Sequence, residues 1–255
     1  MEKTVLKENK DEWKKKYDEI SLSDQLLDLS KQSPENFIDD LKMKYLENRL
    51  PNKGTIIEVG AGSGRLLTRI GLKNKKYKLI GIDYENSATV LIKKNIEQFD
   101  LNGTSICADV FCIPIKSNSV DVVVSGGLLE HFNKDEINSV IQEMVRILKP
   151  NGFFYSDIVP HKISLCRPII LSHRGGYENS FSIKQWKTMF NENELKNINI
   201  FSGLILPPAF YNLFRNKLLL STIYKFKNIL HKLDNTIYSD VFGFEYYVFA
   251  YKNEI

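Results

Sequence analysis

Three glycines at alternate positions, Gly60, Gly62 and Gly64, stand directly behind a run of β-forming residues in TIIEVGAGSGRL. Glycine tolerates positive φ and carries no Cβ, so a ligand can approach the backbone of such a loop closely. The loop falls where a first strand would end, and open parallel sheets bind ligands beyond the carboxyl ends of their strands. Two carboxylates follow at successive predicted strand ends, Asp83 closing KLIGID and Asp109 in CADVFCIPI. Asp83 can accept both hydroxyls of a nucleoside ribose, and Asp109 an amino group on the base. Each also has a plainer reading, a helix N-cap for Asp83 and a surface turn for Asp109. His131, in LLEHF beyond the fourth predicted strand, is a candidate base because a neutral imidazole is available near neutral pH. A histidine that caps or packs at a helix start is the alternative.

The spacing of the glycines separates two ligand classes. A dinucleotide fingerprint is G-x-G-x-x-G/A, and its third small residue lets the helix pack close against the strand. Here the phase is G-x-G-x-G, and the position of that third glycine holds Arg65. A nicotinamide-dependent oxidoreductase is therefore disfavoured on steric grounds. A tight strand-to-helix turn with no ligand remains the bland alternative, as does a non-catalytic scaffold that merely keeps a cofactor pocket.

These residues need elements to hold them. Short β-rich runs at 55–60, 78–83, 105–109, 120–125 and 152–159 alternate with amphipathic segments near 64–73, 86–98 and 134–148, the texture of a parallel sheet with crossover helices. LKPNG ends the last of these helices. Ser182 and Gln185 supply a capping box for one more. NINIFSGLIL from 197 reads as a strand, and VFGFEYYVFAY at 241–251 as the strand that closes the sheet. Residues 7–50 read as helical, with Ser33 as an N-cap, Pro34 at the first helical position, and Ile38, Leu41 and Tyr45 at helical spacing. The expected organisation is an N-terminal helical extension (1–50), an α/β core (51–204 and 236–255), and lid or cap insertions at 160–181 and 205–235.

A chain of 255 residues can bury a full core, and its net charge of +4, spread through most of the chain, is no dedicated nucleic-acid footprint. The charged start lacks the apolar core of a signal peptide and no apolar run reaches membrane-spanning length, so a cytoplasmic protein is expected. Cys107, Cys112 and Cys166 match neither a zinc clip nor a redox pair, and reduced, mostly buried thiols are expected. His161, Cys166 and His173 are irregularly spaced, so no metal is expected.

EVGAGSGRL at 58–66, GIDYEN at 81–86, ADVFCIPIKSNSVDVVVSGGLLEHF at 108–132 and LKPNGFFYSD at 148–157 occur in this order over about half the chain. The combination resembles the class I S-adenosylmethionine-dependent methyltransferases. The resemblance implies a Rossmann-like, doubly wound seven-stranded sheet, mostly parallel with an antiparallel last strand and helices on both faces. It implies methyl transfer (EC 2.1.1.-) from S-adenosyl-L-methionine, with S-adenosyl-L-homocysteine as product. Gly60, Ala61, Gly62 and Gly64 would line the methionine part, with Glu58 behind them. Asp83 would bind the ribose with Tyr84 beside the adenine, and Asp109 and the Val110 amide would meet the adenine. Ser125 and Gly126 would face the methionine amino group. The small-plus-aromatic pair that often follows the penultimate helix is replaced by Glu194 and Leu195, and residues 205–240 have no counterpart.

Methyl transfer from a sulfonium is an in-line displacement with a neutral leaving group, so alignment and exclusion of water are the main requirements. An oxygen acceptor also needs a base within hydrogen-bond reach. His131 is the tentative base or substrate contact, and His161, His173 and Tyr177 are tentative substrate residues in the segment after the fifth strand. With no RNA-binding signature beside the core, a small-molecule acceptor at oxygen, nitrogen or carbon leads over protein, peptide or RNA. The basic and apolar stretch 209–233 reads first as a packing or lid helix, and secondarily as a peripheral membrane contact.

Overall fold

The computed structural model describes residues 13–15, 26–158, 178–179, 181–205, 217–236, 238–239 and 243–254. Seven strands form one sheet: β1 (Gly54–Val59), β2 (Tyr77–Asp83), β3 (Gly103–Cys107), β4 (Val120–Gly126), β5 (Leu148–Ile158), β6 (Leu195–Ile205) and β7 (Gly243–Lys252). Their spatial order is β3-β2-β1-β4-β5-β7-β6. The first five are parallel, and β7 runs antiparallel to both β5 and β6. The helices are α1 (Pro34–Leu46), α2 (Arg65–Lys73), α3 (Asn86–Gln98), α4 (Lys134–Ile147), α5 (Ile183–Glu192) and α6 (Lys217–His231). Because β1 lies between β2 and β4, the connections reverse there, and a crevice opens at the carboxyl ends of these strands.

Burial on both faces explains why the central strands are near-continuous runs of β-branched residues. Ile57, Val123 and Phe154 face α4 and α5, whose Ile141, Met144, Trp186 and Phe190 share that core. Their neighbours Ile56, Val122, Val124 and Tyr155 face the other way, onto Leu67 and Ile70 of α2 and Ile92 and Ile96 of α3. The period of two along each strand thus separates two apolar layers. Helix starts follow local chemistry: the Asn133 and Glu136 side chains close a capping box on α4, and Ser182 with Gln185 closes the predicted one on α5.

The structure corrects several expectations. The helix expected through 7–50 is interrupted, since residues 26–33 form bends and turns before α1. The Asp28 carboxylate accepts from the Ser30 amide and hydroxyl, and Asn36 Nδ2 donates to the carbonyls of Asp28 and Lys31. Side chains there replace the helical ladder. The third strand ends at Cys107, two residues before Asp109, and β5 already begins at Leu148. Cys107 and Cys112 are free and exposed, not buried, because β3 is an edge strand and Cys112 lies in the loop after it. Cys166 lies outside the described residues. Glu194, at one of the departures from the family pattern, adopts φ +60°, and Leu195 beside it opens β6. No helix among the described residues is long and apolar enough to cross a membrane.

Candidate active site

The loop after β1 keeps left-handed backbone at Gly60, Gly62 and Gly64 (φ +67°, +55° and +71°), a conformation that disfavours any side chain. Asp83 holds this loop against the end of β2. Its Oδ2 accepts from the Gly62 amide at 2.8 Å and its Oδ1 from the Glu85 amide at 3.0 Å. The Tyr84 amide adds a third such contact, and an ionised carboxylate has about four lone-pair sites, so acceptor capacity remains for a ligand. Burial pushes the Asp83 carboxyl up from its ordinary range, and the Glu85 and Gly62 amides oppose that push. Behind the loop Glu58 accepts from the Leu67 amide at 3.0 Å, and burial raises its carboxyl to about 8.

A cavity of about 290 Å³ lies over this loop. It brings together Glu58, Gly60, Ala61, Gly62, Asp83, Tyr84, Asp109, Val110, Gly126 and His131, all expected from the sequence. Gly64 does not line the cavity; it precedes α2 and shapes the turn. Ser125 is fully buried with its hydroxyl unpartnered among the described residues, and Gly126 and Gly127 line the cavity in its place. Asp109 is exposed at the rim, where its carboxylate also accepts from the Phe111 amide. His161, His173 and Tyr177 lie outside the described residues.

His131 ends a single 3-10 turn, Leu129–His131, and is 7% exposed. Asn179 braces this turn, its amide donating to the Glu130 carbonyl and its Nδ2 to the carbonyls of Leu129 and Phe132. The ring of Trp13 meets that of His131 edge-on, with centroids 5.6 Å apart. Phe111 and Phe132 pack together at 5.4 Å and complete an aromatic side of the cavity.

Sequence reasoning missed the contribution of the N-terminal segment. Trp13 and, from α1, Asp39 and Lys42 line the cavity. Arg65, the first residue of α2, reaches α1 with Nη2 at 2.8 Å from both Asp39 Oδ2 and Asn36 Oδ1. Lys42 crosses to the sheet, with Nζ 2.8 Å from Asp157 Oδ1 on β5 and 3.3 Å from Glu245 Oε1 on β7. Burial pushes the Lys42 ammonium down, but Asp157 and Glu245 outweigh it and hold the group above the ordinary lysine range. The available signal was the polar pair Asp39 and Lys42 set among Phe37, Leu41 and Leu46, which are all buried. By contrast, none of the described residues of 205–235 lines this cavity.

A sheet of this order, with a glycine loop, a buried acid at the end of β2 and a cavity between them, has the Rossmann-like fold of class I S-adenosylmethionine-dependent methyltransferases. Residues 56–152 match the family model described as a methyltransferase domain. The chain is similar to phosphoethanolamine N-methyltransferase 1 of Triticum aestivum, 37% identical over 109 residues that make up 40% of this chain and 20% of the relative. An uncharacterised methyltransferase of Schizosaccharomyces pombe is 32% identical over 133 residues, 50% of this chain and 49% of that protein. The chain therefore spans from a fifth to about half of these curated relatives. Among solved structures, an S-adenosylmethionine-dependent methyltransferase from Thermotoga maritima superposes with a TM-score of 0.58 at 16% identity, covering 85% of this chain and 89% of its own.

Proposed function

We propose that the chain transfers a methyl group from S-adenosylmethionine to a small organic acceptor. The observation that carries this reading is the placement of Asp83, buried at the end of β2 and tied to the glycine loop, at the floor of the same cavity that His131 borders. The donor set suits the cofactor. With Glu58 kept protonated by burial, three carboxylates (Asp39, Asp83, Asp109) against two cations (Lys42, Arg65) favour a ligand bearing positive charge, and Tyr84, Val110 and Phe111 offer an apolar slot for an adenine.

The cofactor supplies a methyl group on a positively charged sulfur that leaves as a neutral thioether. With the cofactor bound, Asp83 would accept from the ribose, Asp109 would accept from the adenine amino group, and the Val110 amide would face the ring. Gly60, Ala61, Gly62, Gly126 and Gly127 let backbone come close to the methionine part. On the acceptor side, His131 takes a proton from the attacking group where one must leave, and Trp13, Phe111 and Phe132 keep water away from it. The reading favours a small acceptor because the aromatic side already narrows the cavity. The phosphoethanolamine N-methyltransferase relatives agree with that size class without fixing the acceptor.

Calorimetric titration with S-adenosylmethionine and S-adenosylhomocysteine tests the proposal. Both bind the wild type, and Asp83→Ala weakens them by about 5- to 150-fold, as expected for loss of a buried hydrogen-bonding carboxylate. Failure to bind either ligand, or selective stabilisation by a nicotinamide dinucleotide, overturns it. Transfer of a labelled methyl group to small molecules in an extract, against RNA and protein fractions of the same extract, tests the acceptor class.

A further inference from the structure

Helix α6 packs with one face on α1. The Tyr224 hydroxyl donates to the Ser33 carbonyl at 2.9 Å, its ring meets Phe37 edge-on at 5.4 Å, and the rings of His231 and Tyr45 lie 4.5 Å apart. The opposite face is exposed among the described residues. At 100° per residue, Thr222, Lys225, Phe226, Ile229 and Lys232 fall on one outward arc of the helix and the turn that follows it, and all five are exposed. Phe226 is 52% and Ile229 55% exposed.

Scattered single apolar side chains on a surface need no explanation. Here two of them stand one turn apart, flanked along the same arc by two lysines that form no ion pair among the described residues. The charge pattern is one-sided well beyond the helix. The chain carries 31 acidic residues in 255, yet none falls between Glu194 and Asp234, while Lys196, Arg215, Lys217, Lys225, Lys227 and Lys232 do. The outward arc itself carries two cations and no acid, and an anionic lipid surface asks only for cations around an apolar stripe.

We infer that the outward face of α6 docks on an anionic bilayer surface, with Phe226 and Ile229 entering the headgroup boundary and Lys225 and Lys232 meeting the lipid charges. This goes beyond the methyltransferase reading and does not depend on it. The geometry nonetheless links the two. Ser33, Phe37 and Tyr45 on one side of α1 hold α6, while Asp39 and Lys42 on its other side line the cavity. A bilayer against α6 would therefore bear on the helix that walls the cavity.

Flotation of the full chain with vesicles of equal parts phosphatidylglycerol and phosphatidylcholine, against phosphatidylcholine alone, is the test. The protein floats with the anionic vesicles, less so as salt rises, and not with the neutral ones. The pair Lys225→Gln and Lys232→Gln lowers the partition coefficient about 25-fold, at about fivefold per lysine near an anionic surface. The pair Phe226→Ser and Ile229→Ser also abolishes flotation. All four side chains are exposed, so each variant keeps the wild-type circular dichroism and melting temperature. Absence of the wild type from the anionic vesicles, or flotation that neither pair diminishes, overturns the inference. So does a wild-type dimer in sedimentation equilibrium that Phe226→Ser and Ile229→Ser dissolves without any vesicle binding, which would assign the face to a second copy of the chain.

Discussion

Lys42→Met removes the cation that joins α1 to the far half of the sheet, and its consequence follows from burial. The side chains of Lys42, Asp157 and Glu245 are 12%, 2% and 8% exposed, and Tyr155 already donates to Asp157 Oδ2 at 3.2 Å. Without the ammonium, two carboxylates remain in a buried site with Glu58 nearby and have lost the cation between them. Breaking a buried pair by removing one partner typically costs about 3–5 kcal/mol. For a chain of this size that corresponds to a melting temperature lowered by about 6–20 °C. Urea unfolding of the variant beside the wild type measures the deficit. Adding Glu245→Gln to Lys42→Met removes one of the two opposed charges and recovers at least about 1 kcal/mol. Lys93→Met is the control, because its i,i+4 pair with Glu97 is 3.8 Å long with side chains 69% and 63% exposed, and its loss changes stability by less than about 0.5 kcal/mol. If Lys42→Met lies within about 1 kcal/mol of wild type at about pH 8, the ion triad does not hold α1 in place and the reasoning from burial fails.

Two further outcomes are expected. Glu58 has its folded-state carboxyl raised by burial to about 8 from 4.5, so its contribution is complete at low pH and is lost as pH rises through that window. Glu58→Gln therefore flattens the pH dependence of stability by up to about 1.4 kcal/mol per pH unit there, and melting curves in which variant and wild type run parallel would refute it. His131→Ala, measured with an acceptor found by label transfer, lowers kcat by about 100-fold or more if the imidazole takes the proton. Cofactor affinity then stays within about twofold. A rise in KM with unchanged kcat would leave His131 as a binding contact only.

The sheet was legible because its central strands are buried on both faces. TIIEV, KLIGID and VDVVV carry that burial as runs rich in β-branched and other apolar residues, and the loop after the first of them announces itself by glycine spacing. Element ends were less legible, since hydrogen bonding rather than apolar pattern decides where β3 stops or β5 starts. The cysteines were misjudged for a related reason: a residue on an edge strand reads like its neighbours inward until the strand order is known. What the sequence hid most fully was the share of α1 in the site. Asp39 and Lys42 find their partners 26 and 115 positions along the chain, at Arg65 and Asp157, and no local period reports such pairings.

Arg65 occupies the position whose size counted against a dinucleotide, and its surroundings give that argument a different physical form. In a dinucleotide loop the third small residue permits close packing, and a long cation there looked incompatible with it. The close packing is present, displaced by one residue and directed elsewhere. A Cβ on Gly64 would stand 3.0 Å from Ile92 Cγ1 and 3.3 Å from its Cα, so it is α3 that comes up against the loop. With Gly64 serving that contact, the next position starts α2 and its side chain is free to reach outward. Arg65 uses that freedom to bind Asp39 and Asn36 on α1. The change of glycine phase and the recruitment of an N-terminal helix to the cavity wall are therefore two sides of one arrangement, and the residue that argued against a dinucleotide also fastens the element that helps wall the cavity.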